Sequence, residues 1–310
     1  MKIVVVGLGG VGGVVGGRLA AGAGPEHQVV FWCRGETLET VSEKGLNVLD
    51  AEGEITARPF LATHDASEVG TADLMIFATK GYHLEPAAKE TASLATEKTT
   101  VIPLLNGVGA PSVLEKHLPE SDVLGGCIYV SAHVERPGVV RQVGAVQRVL
   151  FGKKGIGEAN NRERYGSIEQ ILKKSGAAVT LTDRIDVEMW AKFIFLSPFA
   201  GVTTLYRRNI SEVLADNENF ETVNRLIGEI EALARAKKIG LSEDIAALTI
   251  EKARSFVPHT KTSMQLDQEK GRTTELETLI GYVCREGEAE GVLLPAHNAL
   301  YKELKKICKV

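Results

Sequence analysis

Short apolar runs alternate with mixed polar stretches through the first third of the chain. Four of these runs end in glycine or polar residues, and they span 3–6, 28–32, 72–78 and 100–105. Runs that are apolar at nearly every position are typical of strands buried on both faces of a parallel sheet, with helices connecting them. We therefore predict an α/β domain with a doubly wound parallel sheet at the N-terminus.

The pattern is less regular in the next part of the chain. Within Asp122–Lys153, short apolar groups surround a Pro137–Gly138 turn, which predicts several short strands that extend the sheet in an antiparallel or mixed manner. A helix over about Glu158–Ser175 and a strand over Ala178–Leu181 complete this part. The pattern then turns helical, so we predict a first domain of residues 1–183.

The remainder, residues 184–310, has apolar positions at the three- and four-residue spacing of helices. The clearest stripe is Phe220, Val223, Leu226, Ile227, Ile230, Leu233 and Ala234. This helix is predicted to end at Lys237–Gly240, and Ser242–Asp244 is predicted to cap the next one. A further helix begins at about Thr273, and Pro295 opens the last. An all-helical second domain is therefore expected, with the catalytic cleft between the two domains.

A glycine-rich turn follows the first predicted strand directly. The sequence there fits G-x-G-x-x-G and reads Gly7, Leu8, Gly9, Gly10, Val11, Gly12. Such glycines form a tight turn and let the backbone approach a pyrophosphate at the N-terminus of the next helix. Because a strand precedes the motif and a small-residue helix follows it, we predict a Rossmann-type dinucleotide site formed by these six residues.

The residue after the second strand bears on the choice of cofactor. NAD enzymes usually carry Asp or Glu there to bind the ribose 2′-hydroxyl, whereas this chain has Cys33 followed by Arg34. A guanidinium suits a 2′-phosphate, so we predict NADP(H) as the cofactor. The alternative is that Arg34 is an ordinary solvated charge, and the neighbouring Glu36 favours that alternative.

The third and fourth strands also end in polar residues, with Lys80 after one and Asn106 after the other. In an open parallel sheet, ligands bind outside the carboxyl ends of the strands. Lys80 and Asn106 are therefore candidates for contact with cofactor and substrate. Each also has a local explanation as a turn residue, above all the Asn106–Gly107 pair.

Charge and composition exclude several other classes of protein. A formal net charge of −4, a pI of about 6.0 and the lack of a Lys/Arg run argue against a nucleic-acid partner. The apolar stretch Phe193–Leu205 is too short to span a bilayer, so no membrane partner is expected. The four cysteines are widely spaced, which predicts reduced thiols and no metal. Because a strand is predicted at the very start, we expect no signal peptide and a cytoplasmic location.

Several of these residues, together with others, form a recognisable set of motifs. They are Gly7–Gly12, Arg34, Thr79–Lys80, Asn106–Val108, Pro137–Gly138, Trp190–Lys192, and Ser263–Asp267 followed by Gly271–Glu275. In this set the chain resembles the ketopantoate reductases (2-dehydropantoate 2-reductases) essentially from end to end. The resemblance implies a Rossmann domain followed by a helical domain like that of 6-phosphogluconate dehydrogenase. It also implies NADPH-dependent reduction of ketopantoate, a small 2-oxo acid, to pantoate for pantothenate and coenzyme A synthesis.

The resemblance also implies roles for individual residues. Lys192 would be the catalytic acid, and Glu275 and Ser263 would contact the substrate. Asn106 and Lys80 would lie near nicotinamide and substrate, and together with Glu275 they are assigned to cofactor binding as well. Independently of the family, an ammonium directed at a carbonyl oxygen stabilises the alkoxide formed by hydride transfer and can deliver its proton. Without the resemblance, Lys192 and Glu275 would be interpreted as surface charges on helices.

The chain departs from the family pattern on the substrate side. The family commonly has asparagines four and eight residues after the catalytic lysine, where this chain has Leu196 and Ala200, and Thr260 replaces another. Fewer amide groups favour a more apolar 2-oxo acid as an alternative substrate. A second alternative is a non-catalytic NADP(H) sensor, which would not need Lys192 and Glu275. The true substrate and the oligomeric state stay open, a homodimer being one arrangement.

Overall fold

The computed structural model describes the backbone of residues 1–310 and the side chains of residues 1–144 and 148–310. The chain forms two compact units. The first comprises Met1–Leu105 and Ala110–Ile185, and the second comprises Asn106–Gly109 and Asp186–Val310. The short segment Asn106–Gly109 thus belongs with the helical residues, although its sequence neighbours belong to the first unit. The domain boundary after residue 183 stays a prediction.

The first unit contains strands and helices in alternation. Its elements are β1 (Lys2–Val6), α1 (Gly10–Gly22), β2 (Gln28–Trp32), α2 (Gly35–Lys44), β3 (Leu46–Leu49), β4 (Glu54–Ala57), β5 (Leu61–Thr63), β6 (Leu74–Phe77), α3 (Leu84–Glu90), β7 (Thr100–Pro103), α4 (Ala110–His117), β8 (Asp122–Val123), β9 (Gly125–Arg136), β10 (Val139–Gly152), α5 (Glu158–Lys173) and β11 (Ala178–Leu181). Short 3₁₀ turns cover Ala66–Glu68, Gly81–His83 and Ala92–Leu94.

The main sheet has six strands in the order β5-β2-β1-β6-β7-β8, and neighbouring strands pair in parallel. Its central strand, β1, is covered on both faces: Ile3 and Val5 pack into one apolar cluster, and Val4 and Val6 pack into another. Burial on both sides explains the unbroken apolar runs in the sequence. The predicted Rossmann-type doubly wound sheet is confirmed.

The prediction of several short strands that extend this sheet holds for β8 (Asp122–Val123), which pairs with β7 in parallel, and is wrong for the rest of the segment. The residues around the Pro137–Gly138 turn form the long antiparallel strands β9 and β10, which belong to a separate five-stranded sheet with β3, β4 and β11. The far half of β9 is largely solvent-exposed, so its sequence, Ser131–Arg136, is mostly polar. Exposure removes the apolar alternation that would have marked one continuous strand.

The second unit is helical, as predicted. Its elements are α6 (Ile185–Tyr206), α7 (Ile210–Ala215), α8 (Asn217–Ala236), α9 (Ile245–Arg254), α10 (Ser263–Glu269), a π-helical turn (Glu277–Gly281), α11 (Tyr282–Glu290) and α12 (Pro295–Ile307). The core-facing stripe of α8 is buried, and Pro295 opens α12 as expected. In the part of the chain with described side chains, we find no helix with the length and apolar content needed to cross a bilayer.

Two helix boundaries differ from the predictions. Helix α8 ends at Ala236, and the left-handed residue that follows is Lys238 (φ 58°) instead of the predicted Gly240. The predicted helix from Thr273 starts later, because Thr273 pairs with Lys309 in an isolated β-bridge. Glu275 therefore lies just before the helical residues, ahead of the π-helical turn.

Candidate active site

The glycine-rich turn connects the carboxyl end of β1 to the start of α1. Gly7 has a φ of +93°, which favours glycine, and a Cβ there would lie 2.9 Å from Thr79 Cγ2. A Cβ on Gly12 would collide with the carbonyl oxygen of Gly7. Helix α1 can therefore lie this close to β1 only with glycine at position 12, as a dinucleotide-binding turn requires.

The start of α1 has room and charge for an anion. A Cβ on Gly9 would have no heavy atom within 4 Å among the described residues, so the backbone is open to a ligand there. No described side chain caps the helix at Gly9, and its first turn contains no acidic residue. Exposed N–H groups and the positive end of the helix dipole suit a pyrophosphate. The turn thus fits the dinucleotide that its sequence predicts.

Arg34 lies at the carboxyl side of β2, in an extended conformation just before α2. It is exposed, and the following Gly35 takes a φ of +59° with open space where its Cβ would be. Desolvation of the His83 ring, which packs edge-on to Tyr82 at 4.6 Å, lowers the pKa of His83, and the charge of Arg34 lowers it further. Arg34 is therefore close enough to His83 for its charge to act on the ring.

Lys80 lies at the carboxyl side of β6, as its position in the sequence predicts. It precedes the 3₁₀ turn Gly81–His83 in an extended conformation and is half-buried. Because β6 and β2 flank β1, Lys80 and Arg34 follow the two strands on either side of the glycine-rich turn. Both cations thus belong to the sheet edge at which ligands bind in this fold.

Three predicted site residues meet within the second unit. The Nζ of Lys192, on α6, donates a hydrogen bond to Oδ1 of Asn106 at 3.2 Å. The Nδ2 of Asn106 donates in turn to Oε2 of Glu275 at 3.2 Å. Lys192 is half-buried, whereas Glu275 is only 2% exposed. The amide of Asn106 therefore bridges an ammonium and a buried carboxylate.

These hydrogen bonds fix the orientation of the Asn106 amide between its two partners. The amide oxygen of Asn106 can face only the donor, Lys192, and its NH₂ only the acceptor, Glu275, because an ammonium has no acceptor and a carboxylate no donor. Lys192 carries protons that can be given to a nearby oxygen, and the residue is half-buried. The arrangement suits proton donation to a substrate oxygen.

The helix face beside Lys192 is apolar, as the sequence indicates. Leu196, four residues further along α6, is half-buried, and Ala200 is 1% exposed. The ring of Phe195 stacks between Phe199 at 5.0 Å and Phe256 at 5.2 Å. This aromatic stack was not predicted, because Phe256 lies 61 residues from Phe195 and outside any periodic pattern.

Ser263 is the exposed first residue of α10 and follows the N-cap Thr262. The Oγ1 of Thr262 lies 2.8 Å from Oγ1 of Thr203, which is eleven residues, or about three helical turns, after Lys192 on α6. Ser263 therefore directly follows a residue that contacts α6 about three helical turns beyond Lys192.

Three polar residues, Thr203, Thr204 and Asn209, lie in or just after the last turns of α6. The Oγ1 of Thr203 donates to the carbonyl oxygen of Phe199 at 2.7 Å. Asn209 caps α7, accepting from the backbone of Glu212 while the Glu212 side chain accepts from the backbone N–H of Asn209. Thr204 is fully buried. Thr203 and Asn209 therefore satisfy backbone groups, whereas the buried Thr204 hydroxyl has no hydrogen-bond partner among the described residues.

Comparison with known proteins places both units in one family. A family model described as "Ketopantoate reductase PanE/ApbA" matches residues 3–155, and one described as "Ketopantoate reductase PanE/ApbA C terminal" matches residues 184–308. An "Uncharacterized oxidoreductase YkpB" from Bacillus subtilis is 28% identical over 305 residues, which cover 98% of each chain.

Solved structures agree over the whole chain. A 2-dehydropantoate 2-reductase from Porphyromonas gingivalis is 30% identical with a TM-score of 0.84, and the match covers 98% of this chain and 99% of that one. A D-mandelate dehydrogenase with NADH and anilino(oxo)acetate is 25% identical with a TM-score of 0.86, over 99% of this chain and 98% of that one. The chain therefore belongs to the ketopantoate reductase family of pyridine-nucleotide-dependent oxidoreductases.

Proposed function

We propose that this protein is an NADPH-dependent reductase of a 2-oxo acid, with 2-dehydropantoate as its substrate and pantoate as its product. The observation that carries the proposal is the hydrogen-bonded chain Lys192–Asn106–Glu275, which joins a proton donor to a buried carboxylate through an oriented amide. Membership of the ketopantoate reductase family supports the substrate class. In this role the protein would supply pantothenate and coenzyme A synthesis.

NADP(H) is proposed as the cofactor because Arg34 takes the position of the acidic residue expected in NAD enzymes. The residues proposed to hold it in the first unit are Gly7, Leu8, Gly9, Gly10, Val11, Gly12, Arg34 and Lys80. The open backbone at Gly9 and the uncapped start of α1 support pyrophosphate binding. Family resemblance adds Asn106 and Glu275. The D-mandelate dehydrogenase of the same fold was solved with NADH, so the proposed preference for NADPH rests on Arg34 of this chain and not on that relative.

When bound, the reduced nicotinamide supplies a hydride to the carbonyl carbon of the substrate. Lys192 then stabilises the charge that develops on the carbonyl oxygen and gives that oxygen a proton, which yields a 2-hydroxy acid. Solvent returns the proton to Lys192, so each turnover consumes one proton from water. Lysine suits this step because its charge is compact and its three donors rotate freely.

The two partners of Lys192 keep its proton directed at the substrate. Asn106 accepts one hydrogen bond from Lys192 at 3.2 Å, and an ammonium has three hydrogens to donate. Glu275 fixes the orientation of the Asn106 amide and stabilises the positive charge of Lys192 through it. We assign Lys192 and Glu275 to catalysis, and Asn106, Ser263 and Lys80 to substrate binding.

A more apolar 2-oxo acid is a second candidate substrate. Leu196 is half-buried and lies about one helical turn beyond Lys192, where an asparagine is common in the family. An apolar side chain there gives no hydrogen bond to a polar substrate but gains contact area with a branched or aromatic one.

The test of the proposed function is NADPH oxidation by the purified protein with 2-dehydropantoate, a branched-chain 2-oxo acid and phenylglyoxylate in parallel. We expect turnover of 2-dehydropantoate with the highest kcat/KM. A preference for either apolar acid, reversed by Leu196→Asn, would identify the second candidate instead. Lack of turnover with every acid, in protein that binds NADPH, would contradict both.

A further inference from the structure

A chain of aromatic rings ties Tyr282 to the helix that carries Lys192. Tyr282, the first residue of α11, packs edge-on against Phe193 with ring centres 5.8 Å apart. Phe193 packs edge-on against Trp190, also at 5.8 Å. Trp190 and Phe193 flank Lys192 on α6, so the position of Tyr282 helps to fix this stretch of the helix.

The same ring supports the segment that carries Asn106. A Cβ on Gly109 would lie 2.8 Å from Cε2 and 3.1 Å from Cδ2 of Tyr282. Gly107, with a φ of +95°, lies against Thr278, whose Cγ2 would be 3.1 Å from a Cβ at position 107. The segment Asn106–Gly109 therefore rests on one face of the residues that follow Glu275, and glycine allows the close approach.

The π-helical turn Glu277–Gly281 separates Glu275 from Tyr282. Arg285 donates to the carbonyl oxygen of Glu277 at 2.9 Å and to its carboxylate at 2.8 Å, and the Tyr301 hydroxyl donates to that carboxylate at 2.6 Å. A π-turn changes the rotation between the residues before and after it. Its presence thus sets the direction of Tyr282 relative to Glu275.

We propose that Tyr282 is a positioning residue that holds Asn106 between Lys192 and Glu275. Its ring contacts Phe193 of the Lys192 helix and Gly109 of the Asn106 segment, while the residues just before it include Glu275. The ring of Tyr282 is thus connected, by packing or along the chain, to the segments that carry Lys192, Asn106 and Glu275. This inference rests on the proposed function, in which Lys192 donates the proton.

We assign no proton transfer to the Tyr282 hydroxyl. Burial raises the pKa of Tyr282 to about 12, and the charge of Glu286 contributes in the same direction. The phenol therefore stays protonated at neutral pH. The contribution we assign to Tyr282 comes from its ring, so the conservative variant Tyr282→Phe separates the effect of the ring from that of the hydroxyl.

The test uses the full-length protein with NADPH and its best 2-oxo acid. Gly109→Ala forces the Cβ against the Tyr282 ring, and we expect kcat to fall by about tenfold or more while KM for NADPH stays within about twofold. Gly228→Ala is the matched control, because a Cβ there meets no heavy atom within 4 Å among the described residues. Tyr282→Phe should keep kcat within about threefold, whereas Tyr282→Leu should lower it by about tenfold.

The double variant gives the sharpest outcome. Leu is smaller than Tyr, so Gly109→Ala with Tyr282→Leu should lose much less than the product of the two single losses. Multiplicative losses, or wild-type kcat in Gly109→Ala, would overturn the proposal. If Gly109→Ala does not fold, equal kcat values for Tyr282→Leu and Tyr282→Phe would overturn it, and a loss only in Tyr282→Leu would support it.

A measurement without substrate keeps this proposal separate from the proposed function. Trinitrobenzenesulfonate labels neutral amines, and peptide mass spectrometry gives the labelling rate of Lys192 relative to the exposed Lys302. If wild type reduces no 2-oxo acid, the proposed function fails, but the Lys192 rate still tests positioning. A change of about threefold or more in Gly109→Ala supports it, since the labelling rate follows the fraction of neutral amine and so the surroundings of the ammonium. An unchanged rate overturns it.

Discussion

The side chain that decides the chemistry of the second unit is an uncharged amide. Asn106 has both a donor and an acceptor, and it uses one toward Glu275 and the other toward Lys192. A carboxylate of the same shape could not do this, because it has no donor and would repel Glu275. We therefore expect an isosteric change at Asn106 to lower kcat as strongly as a change at a catalytic group.

Asn106→Asp should lower kcat by about a hundredfold or more, because the new carboxylate pairs with Lys192 and repels Glu275. Steady-state NADPH oxidation measures this. Asn160→Asp, an exposed change on α5 where the amide donates to the Ile156 carbonyl, is the matched control and should behave as wild type. An Asn106→Asp enzyme with normal kcat would show that the bridge is not needed.

Arg34 is the residue on which the cofactor preference depends. Arg34→Ala should lower kcat/KM for NADPH by about tenfold or more and leave kcat/KM for NADH nearly unchanged, since only NADPH has the 2′-phosphate that a guanidinium binds. Parallel assays with both cofactors give the ratio of kcat/KM for NADPH to kcat/KM for NADH. Arg162→Ala, which removes an exposed arginine paired with Glu158 on α5, should not change it. An unchanged ratio in Arg34→Ala would make Arg34 an ordinary surface charge.

At the scale of elements, the close contact between β1 and α1 depends on Gly12. Gly12→Ala should lower the free energy of unfolding by about 1–3 kcal/mol, because its Cβ would overlap the Gly7 carbonyl oxygen. Gly166→Ala on α5, where the space is open, should instead raise it by about 0.5–1 kcal/mol. Urea unfolding measures both. Equal stabilities of the two variants would contradict the close packing.

The start of α12 is held by a buried pair on the inner side of the helical unit. Glu229 of α8 accepts from the backbone N–H groups of Ala296 and His297 and lies 2.7 Å from Nδ1 of His297. Burial lowers the pKa of His297 from 6.5. Burial would raise the pKa of Glu229, but hydrogen bonds from His297 and Ala296 outweigh it and leave the pKa below 4.5.

Both shifts predict that acid destabilises the fold. Below the unfolded pKa of His297, the unfolded chain binds more protons than the folded one, so stability falls as the pH drops below 6.5. The contribution of Glu229 is lost further down, as the pH falls through its lowered pKa. His297→Asn should flatten the pH dependence of urea unfolding between about pH 7.5 and about 5.5, whereas His64→Asn at an exposed site should not. Identical slopes for wild type and His297→Asn would contradict this.

The sequence predicts short strands well where the local pattern is regular. The bounds of β2 and β11 agree with the predictions: β2 is buried at four of its five positions, and β11 alternates exposed and more buried residues. The full length of β9 was not predicted, because its second half is mostly solvent-exposed and polar. The π-helical turn was not predicted, and its Glu277 accepts hydrogen bonds from Arg285 and Tyr301, which lie 8 and 24 residues further along the chain.

For the whole molecule, the two halves of the sequence predict the two kinds of unit, and the family covers both. The site is predictable only in part. Resemblance identifies Lys192 and Glu275 as candidates, but their link through Asn106 joins positions 86 and 169 residues apart, beyond any periodic pattern. No motif or periodic pattern in the sequence marks Tyr282. Its proposed role depends on contacts with Phe193 and Gly109, which lie in two other segments of the chain.

The central claim is that Lys192 delivers the proton in a reduction driven by NADPH. The most direct measurement compares NADPH oxidation by wild type and Lys192→Ala with the preferred 2-oxo acid, with NADPH binding followed by fluorescence in both. The account predicts that Lys192→Ala binds NADPH normally and loses about a hundredfold or more of kcat. Equal turnover by both proteins would contradict it, and NADPH binding without any turnover in wild type would point to the non-catalytic sensor.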